Sequence, residues 1–188
     1  MIDFSAVKSV VIPEGKVKQI SKDGVVLWKG GYKNLVPLSV GTDGQIYNGG
    51  LGYKTGYRVR SGGAEAAVSG SMCTGYIPYK KGDILRIKPD FGGDNTLNAV
   101  NFSDASFTNL GQRTETALYG ICASGTGWGN IRSTENNCTV IDISGVSNGD
   151  DIAYVRITHI YLQTENPDVP SYVTDPKELI VTVNEEIT

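Results

Sequence analysis

Alternation of apolar and polar residues with a period of two dominates this chain and predicts β-strands. Wherever apolar positions recur at helical spacing, a glycine or proline soon interrupts them. Turn-forming residues separate the predicted strands, which span residues 17–22, 25–29, 75–79, 84–88, 97–102, 138–143, 152–162 and 179–183. Strands at this spacing predict an all-β protein built as an antiparallel β-sandwich.

Two of these segments indicate how the sandwich is layered. In 84–88, Leu85 and Ile87 alternate with Arg86 and Lys88, so we expect the aliphatic pair to face the core and the basic pair to face water. The segment 152–162 is apolar on both faces, which predicts a central strand. Its late position in the chain is typical of a jelly roll that the segment 179–183 closes.

The first thirty residues form a separate pattern. Asp23-Gly24 between two apolar runs predicts a two-residue β-hairpin turn, which would place Ile20 opposite Leu27 and Gln19 opposite Trp28. Glycines 30 and 31 then suggest a hinge, dividing the chain into an N-terminal hairpin (1–31) and a jelly-roll sandwich (32–188). A lone hairpin is marginally stable in water, so it must pack on its own sandwich or on another chain. We expect the second, a docking or oligomerisation role.

Composition excludes several classes of function. The chain has 188 residues and a net charge of −3, which argues against binding nucleic acid through a basic surface. Its apolar runs fall short of the roughly 18 residues of a membrane helix, and its first residues do not resemble a signal peptide. We therefore expect neither membrane insertion nor a nucleic-acid partner.

Few residues suit catalysis. The single histidine, His159, falls on an apolar strand face, and a core position is favoured over a role as catalytic base. Glycine-rich segments lack the Lys-Ser/Thr of a phosphate-binding loop. The cysteines lack zinc-ligand spacing, and buried free thiols are favoured over a disulfide with one spare thiol; they are Cys73, Cys122 and Cys138. We expect no enzyme and no cofactor.

Carboxylates offer two further alternatives. A glycosidase needs two acids facing each other across a sugar, but most acids here adjoin glycines and are explained as turn formers. Loop acids could instead hold a calcium ion, although their spacing matches no calcium-binding loop. The candidates for that ion are Asp90, Asp94, Asp150 and Asp151.

Aromatic residues among small polar ones suggest a sugar-binding surface. Residues 44–60 carry three tyrosines and two arginines, and residues 125–132 place Trp128 in a glycine-rich loop. Sugars stack on aromatic faces while Asn, Asp and Arg bind their hydroxyls, so exposed rings in loops fit this chemistry. We expect Trp128 to be exposed, while for each tyrosine taken singly a position in the core or an interface is favoured over ligand binding. The candidate ligand-binding residues are Trp128, Tyr53, Tyr57, Arg58, Asn130 and Arg132.

Short segments follow one another in a distinctive order along most of the chain. They are 10–15, 23–28, 32–37, 42–49, 52–54, 57–58, 74–78, 81–86, 101–107, 153–157 and 180–185. This order resembles a module of structural proteins from phages and prophages of Gram-positive bacteria. The resemblance implies a jelly roll like that of carbohydrate-binding modules and lectins, located on a virion in a tail fibre, baseplate or other appendage.

Together these observations predict a non-enzymatic virion protein that binds host-surface carbohydrate or cell-wall polymer through loop aromatics. A purely structural virion subunit without a glycan ligand is the first alternative, and a glycan hydrolase ranks below both. Expected partners are the host carbohydrate, other virion proteins and further copies of the chain, with a trimer suggested by the symmetry of phage appendages.

Overall fold

The computed structural model describes residues 19–22, 25–29, 32–91, 98–114, 116–161 and 175–187. The described residues are mostly β-strand. In chain order the strands are β1 (Gln19–Lys22), β2 (Val25–Lys29), β3 (Tyr32–Lys33), β4 (Tyr53–Val59), β5 (Glu65–Thr74), β6 (Ile77–Pro78), β7 (Ile84–Lys88), β8 (Ala99–Ser103), β9 (Asn109–Thr114), β10 (Leu118–Gly120), β11 (Arg132–Glu135), β12 (Cys138–Asp142), β13 (Tyr154–Ile160) and β14 (Ile180–Val183). Helical segments are single turns: α1 (Tyr47–Gly50), α2 (Ile121–Ser124), and three 3-10 turns at Val36–Leu38, Trp128–Asn130 and Pro176–Glu178.

Antiparallel pairing joins these strands into three sheets. The largest has the order β10-β9-β8-β13-β5-β4, with β6 paired to β13. A four-stranded sheet has the order β11-β12-β7-β14, and a small one has the order β1-β2-β3. The predicted all-β antiparallel sandwich is confirmed.

The hydrophobic core lies between the two larger sheets. Its buried members come from β5, β6, β8 and β13 on one side and from β7, β12 and β14 on the other; they include Met72, Ile77, Val100, Phe102, Val155, Ile157, Leu85, Ile87, Ile141 and Val181. Burial of these apolar surfaces is what holds the two sheets face to face.

Both predictions about strand environment are confirmed. In β7, Leu85 and Ile87 are fully buried while Arg86 and Lys88 are only partly covered. The strand β13 pairs with β8 on one edge and with β5 on the other, so it is central in its sheet. Six of its seven residues are buried, as expected of a strand covered on both faces.

The interpretation of residues 44–60 as a loop is wrong for its second half. Residues 53–59 form β4, which makes a hairpin with the ten-residue β5. The composition of β5 hides it from pattern analysis, because Ala66, Ala67, Ser69 and Gly70 give little alternation and little β-propensity. Strands β9 and β11 were missed because they are rich in polar residues, and β10 was missed because three residues are too few to show alternation.

The far end of the β4–β5 hairpin, where residues 59–61 lead into the turn, is hydrogen-bonded to the largest sheet. Three side chains form what we call the amide cluster: Asn101 on β8, and Asn109 and Gln112 on β9. They donate to the carbonyl oxygens of Arg60 (2.9 Å), Ser61 (2.9 Å) and Val59 (2.9 Å), respectively. The cluster is also bonded internally, since Asn101 Oδ1 accepts from Gln112 at 2.9 Å. The end of β4 is therefore fixed over β8 and β9.

The pairing of β1 with β2 differs from the predicted register. Lys22 pairs with Val25 and Ser21 with Val26, as a two-residue turn requires, but an irregularity then places Ile20 opposite Trp28 and Gln19 opposite Lys29. The predicted pairs were wrong because one extra residue on β2 shifts the register beyond that point. The turn at 23–24 lies outside the described residues.

Strand β3 links the N-terminal strands to the rest of the described chain. It pairs with β2 through Trp28–Lys33 and Lys29–Tyr32, and Tyr32 is buried against Cys138 and Ile187. The division at residues 31 and 32 stays a prediction. Within the described ranges, each helical segment is far too short to cross a lipid bilayer.

Candidate ligand-binding site

A cavity of about 470 Å³ opens beside the start of the β4–β5 hairpin. The loop 41–49 forms one wall. Glu65 of β5, Arg156 of β13 and the ring of Tyr76 form the remainder. The site thus combines a loop with side chains from the central strands of the largest sheet.

Local hydrogen bonds give the wall loop its shape. The Asp43 carboxylate accepts from the Gln45 amide at 3.0 Å, and Gly41 donates to the Gln45 carbonyl at 2.8 Å. Gly75 lets this loop approach the sheet, because a Cβ there would lie 2.6 Å from both the Tyr47 Cβ and the Val40 carbonyl oxygen. The loop is therefore seated against β5.

An ion pair forms the floor of the cavity. Arg156 is 5% exposed, and its Nη2 donates to Glu65 Oε1 at 2.6 Å while its Nε donates to the Thr74 carbonyl at 3.0 Å. Glu65 also accepts from the Tyr47 hydroxyl and pairs with Lys54 Nζ at 3.2 Å. A buried guanidinium needs such partners, since an uncompensated buried charge costs several kcal/mol.

These contacts set the charge states of the site. Burial raises the pKa of Glu65, but hydrogen bonds from Tyr47 and Arg156, together with the Arg156 charge, outweigh it and leave the pKa below its usual value. Burial and the hydrogen bond to Glu65 raise the pKa of Tyr47. At neutral pH the cavity therefore contains an ionised carboxylate, a protonated phenol and a guanidinium.

Tyr76, which lines the cavity, belongs to a group of three aromatic rings. Tyr76 and Tyr154 are half-buried, as is Phe107; the ring of Phe107 stacks on Tyr154 with centroids 4.8 Å apart and contacts Tyr76 at 4.8 Å. The Arg156 guanidinium lies 4.9 Å from the centroid of Tyr76. Phe107 has a φ of 64°, a left-handed conformation that is rare for an aromatic residue and that places its ring in this group.

The Trp128 prediction is wrong: its side chain is fully buried, at 0% exposed. The indole packs in the core with its ring 5.3 Å from Phe102, and Nε1 donates to Asn148 Oδ1. The neighbouring glycine reflects close packing rather than an open loop, because a Cβ at Gly125 would overlap the indole nitrogen. In this conformation Trp128 offers no ring face to a ligand.

The other predicted site residues are not brought together. Tyr53 is buried, as the core alternative held, and Tyr57 lies under Lys54 Nζ, 3.5 Å from its ring centroid. Arg58 lines a separate cavity at the end of β4, and the exposed Asn130 lines another, beside Gly145. Arg132 pairs with Asp90 at 3.2 Å. Ligand binding by these residues stays a prediction.

The expectations for histidine and cysteine are confirmed. His159 is fully buried, and its Nδ1 lies 2.7 Å from the Ile160 carbonyl oxygen. The three cysteines are free and buried. Burial raises the pKa of the Cys73 thiol to about 11 and that of Cys122 to about 12, so both are protonated at neutral pH and are poor nucleophiles.

The carboxylates proposed for calcium have other contacts. Asp90 accepts from Thr139 and pairs with Arg132, and Asp150 pairs with Lys81 at 3.1 Å. Asp94 lies outside the described residues. In the part of the chain that the structure describes, no three His, Cys, Asp or Glu side chains come together as metal ligands. Calcium binding stays a prediction.

Sequence reasoning missed Glu65, Tyr76 and Arg156 as a unit. Glu65 and Arg156 are 91 residues apart, so no local spacing could link them. One signal was present: an arginine within an apolar central strand implies a buried acidic partner. That partner lies on β5, which the pattern did not reveal.

Comparisons with protein-family models, with curated proteins and with solved structures find no significant match to this chain.

Proposed function

We propose that this chain is a non-enzymatic structural protein of a phage or prophage virion and that it binds host-surface carbohydrate in the cavity of Glu65, Tyr76 and Arg156. The observation that carries the carbohydrate part is the half-buried ring of Tyr76, held by Phe107 and Tyr154, in the lining of a cavity with ionised and hydroxyl groups. The virion part rests on the resemblance of the ordered segments to phage and prophage proteins.

The cavity has the two kinds of group that sugar recognition requires. An aromatic face such as that of Tyr76 covers the C–H surface of a pyranose, and carboxylate, guanidinium and amide groups bind its hydroxyls. Glu65 supplies acceptor capacity and Gln45, which is exposed on the loop wall, supplies an amide. The paired charges keep these groups in place before a ligand arrives, which lowers the entropic cost of binding.

The charge state of Glu65 favours binding over hydrolysis. A glycosidase requires an acid whose pKa is raised so that it can protonate the leaving group. The contacts of Tyr47 and Arg156 have the opposite effect on Glu65. Asp43, the other carboxylate of the cavity, accepts a backbone hydrogen bond from the exposed loop.

The test is binding of the full chain to an array of bacterial surface polysaccharides with uncharged repeat units. The variants are Tyr76→Ala, which removes the ring, and Gln45→Ala, which truncates an exposed side chain with little risk to folding. Lys177→Ala is the control, because Lys177 is exposed and lines neither this cavity nor the one beside Arg58. Circular dichroism and urea unfolding check that each variant is folded.

We expect saturable binding by the parent and by Lys177→Ala, a loss of about tenfold or more in Tyr76→Ala, and a smaller loss in Gln45→Ala. Equal binding by all four proteins would place the ligand elsewhere on the chain. An absence of binding by a folded parent would reject the carbohydrate function.

A purely structural virion subunit is the second candidate, and exposed aliphatic side chains favour it. Leu38 and Ile46 are each 37% exposed and Leu51 is 46% exposed, all within the loops that surround α1. Exposed aliphatic groups close together in sequence are typical of protein contacts. This function predicts an oligomer, measured by analytical ultracentrifugation, that Leu51→Asn weakens while Tyr76→Ala does not.

A further inference from the structure

A second cavity, of about 260 Å³, lies at the far end of the β4–β5 hairpin. Two arginines at the end of β4, Arg58 and Arg60, line it together with residues of β8, β9 and β10. Arg58 is the penultimate residue of β4 and Arg60 directly follows the strand, so the cavity has two arginines close together along the chain. None of the described residues that line this cavity is acidic.

Neither guanidinium forms an ion pair within the described residues. This contrasts with Arg132 and Arg156, which pair with Asp90 and Glu65. Two adjacent positive groups without an internal counter-ion raise the electrostatic potential of the cavity and attract an anion. Guanidinium groups bind phosphate and carboxylate through paired, charge-assisted hydrogen bonds.

Hydrogen bonds fix the backbone on either side of these arginines before any ligand binds. The carbonyl oxygens of Val59, Arg60 and Ser61 accept from the amide cluster, and the Val59 amide donates to Thr158 Oγ1 at 3.0 Å. Hydrogen bonds on these successive residues restrict the backbone that carries both guanidinium groups. A restricted site loses less conformational entropy on binding than a mobile loop does.

The same cavity includes an exposed aromatic ring. Tyr119 of β10 lines it and is 44% exposed. A ring with an open face next to two guanidinium groups suits a ligand that has both a sugar ring and an anionic group. A bare inorganic anion would make no use of the ring.

We propose that the cavity of Arg58, Arg60 and Tyr119 binds a saccharide that carries a phosphate or carboxylate group. The guanidinium groups bind the oxyanion and the tyrosine ring stacks on the sugar. This site is separate from the Tyr76 cavity and does not depend on the function proposed for that cavity.

The test measures affinity by isothermal titration calorimetry for four probes: glucose, glucose 6-phosphate, glucuronate and inorganic phosphate. The double variant Arg58→Gln and Arg60→Gln removes both charges. Its matched control is Lys80→Gln with Lys177→Gln, which changes the net charge equally at two exposed lysines. Tyr119→Ala, at an exposed position on a short edge strand, removes only the ring.

We expect the parent and the lysine control to bind at least one anionic sugar and not glucose at this site. The arginine variant should lose about tenfold or more in affinity, since it removes the charge-assisted hydrogen bonds to the oxyanion. Tyr119→Ala should weaken binding of that sugar several-fold and leave inorganic phosphate unaffected. Comparison of glucose 6-phosphate with glucuronate shows whether phosphate or carboxylate is the preferred group.

Three results would overturn the proposal. They are equal affinity of the parent and the arginine variant, no saturable binding of either anionic sugar by the parent, and binding of sugar phosphate that is insensitive to Tyr119→Ala. Failure of the Tyr76 cavity would be recognised separately, because uncharged polysaccharides and the Tyr76→Ala variant test it. A loss of binding to both ligand classes in one variant would indicate misfolding, which the unfolding measurements detect.

Discussion

Strand β13 places two titratable side chains in the interior in different charge states. Arg156 remains protonated because Glu65 accepts its hydrogen bond and opposes its charge. His159 has no carboxylate in hydrogen-bond contact, and burial lowers its pKa to about 4. The carbonyl oxygens of Ile160 and Pro89 and the charge of Asp90 offset only part of this effect of burial. Each group therefore takes the charge state that its contacts can compensate.

We predict that His159 makes stability fall as the pH is lowered from neutral. The unfolded chain binds a proton on this residue near pH 6.5, whereas the folded protein does so only near pH 4. Between those two pH values the unfolded state binds more protons on this residue than the folded state does, so lowering the pH reduces the free energy of unfolding. At pH 5 this amounts to about 2 kcal/mol in the free energy of unfolding. Urea unfolding of the parent and of His159→Gln at pH 7.5, 6 and 5 measures it.

The variant should lose most of the pH dependence in this interval, whatever its stability at pH 7.5. Glu65 and Asp90, whose pKa values are lowered by their partners, add their own loss of stability only at more acidic pH. An unchanged slope in His159→Gln between pH 7.5 and 5 would contradict the assignment of this effect to His159.

The β4–β5 hairpin is the element that forms both proposed sites. Its far end contributes to both: Glu65, which pairs with Val59 beside the turn, lines the first cavity, and Arg58 and Arg60 line the second. Backbone pairing between β5 and β13 joins one edge of the hairpin to the sheet. Side chains of the amide cluster, rather than a further strand, hold its far end on β8 and β9.

We predict that Gln112→Ala weakens this attachment and lowers the free energy of unfolding by about 2–3 kcal/mol. The change removes the donor to the Val59 carbonyl and the donor to Asn101 Oδ1 within a buried setting. Hydrogen exchange should show faster exchange of the Val59 amide than in the parent, with the Val155 amide less affected. Thr108→Ala, an exposed side chain near the same strand, is the control. A stability loss below about 0.5 kcal/mol would mean that the cluster does not hold the hairpin.

At the scale of the whole molecule, the core between the two larger sheets extends into the segment after β10. Trp128 is part of this core and contacts Phe102 of β8, and the Asn148 side chain bonds both the indole and the Ile121 carbonyl. The segment that includes α2 is therefore anchored by Trp128, which has the largest fully buried side chain among the described residues. Its residues contribute to stability rather than to an exposed aromatic surface.

We predict that Trp128→Ala lowers the free energy of unfolding by about 3–5 kcal/mol, because it leaves a large cavity in the core. Trp128→Phe should lose less, since it fills much of that volume. Urea unfolding measures both, and the phenylalanine variant should bind polysaccharides as the parent does. A Trp128→Ala protein that kept the parent's stability and lost only polysaccharide binding would contradict the role of Trp128 as a core residue.

The sequence alone determined the strand class, the antiparallel sandwich, the burial of Leu85 and Ile87 and the central position of β13. These features follow from local alternation of side chains, whose period is that of the strand itself. The chain order of the segments also provided the resemblance to phage and prophage proteins. Local chemistry was therefore enough for the fold class.

Only the tertiary structure decided where the sites lie. Glu65 pairs with Arg156, and Arg58 lines one cavity with Tyr119, although each pair is far apart in the chain. Sequence spacing contains no information about such pairs. The burial of Trp128 was decided in the same way, because its glycine neighbour makes room for the indole instead of exposing it. Alternation reports which face of a strand is apolar, whereas the packing of strands against one another decides which polar groups share a cavity.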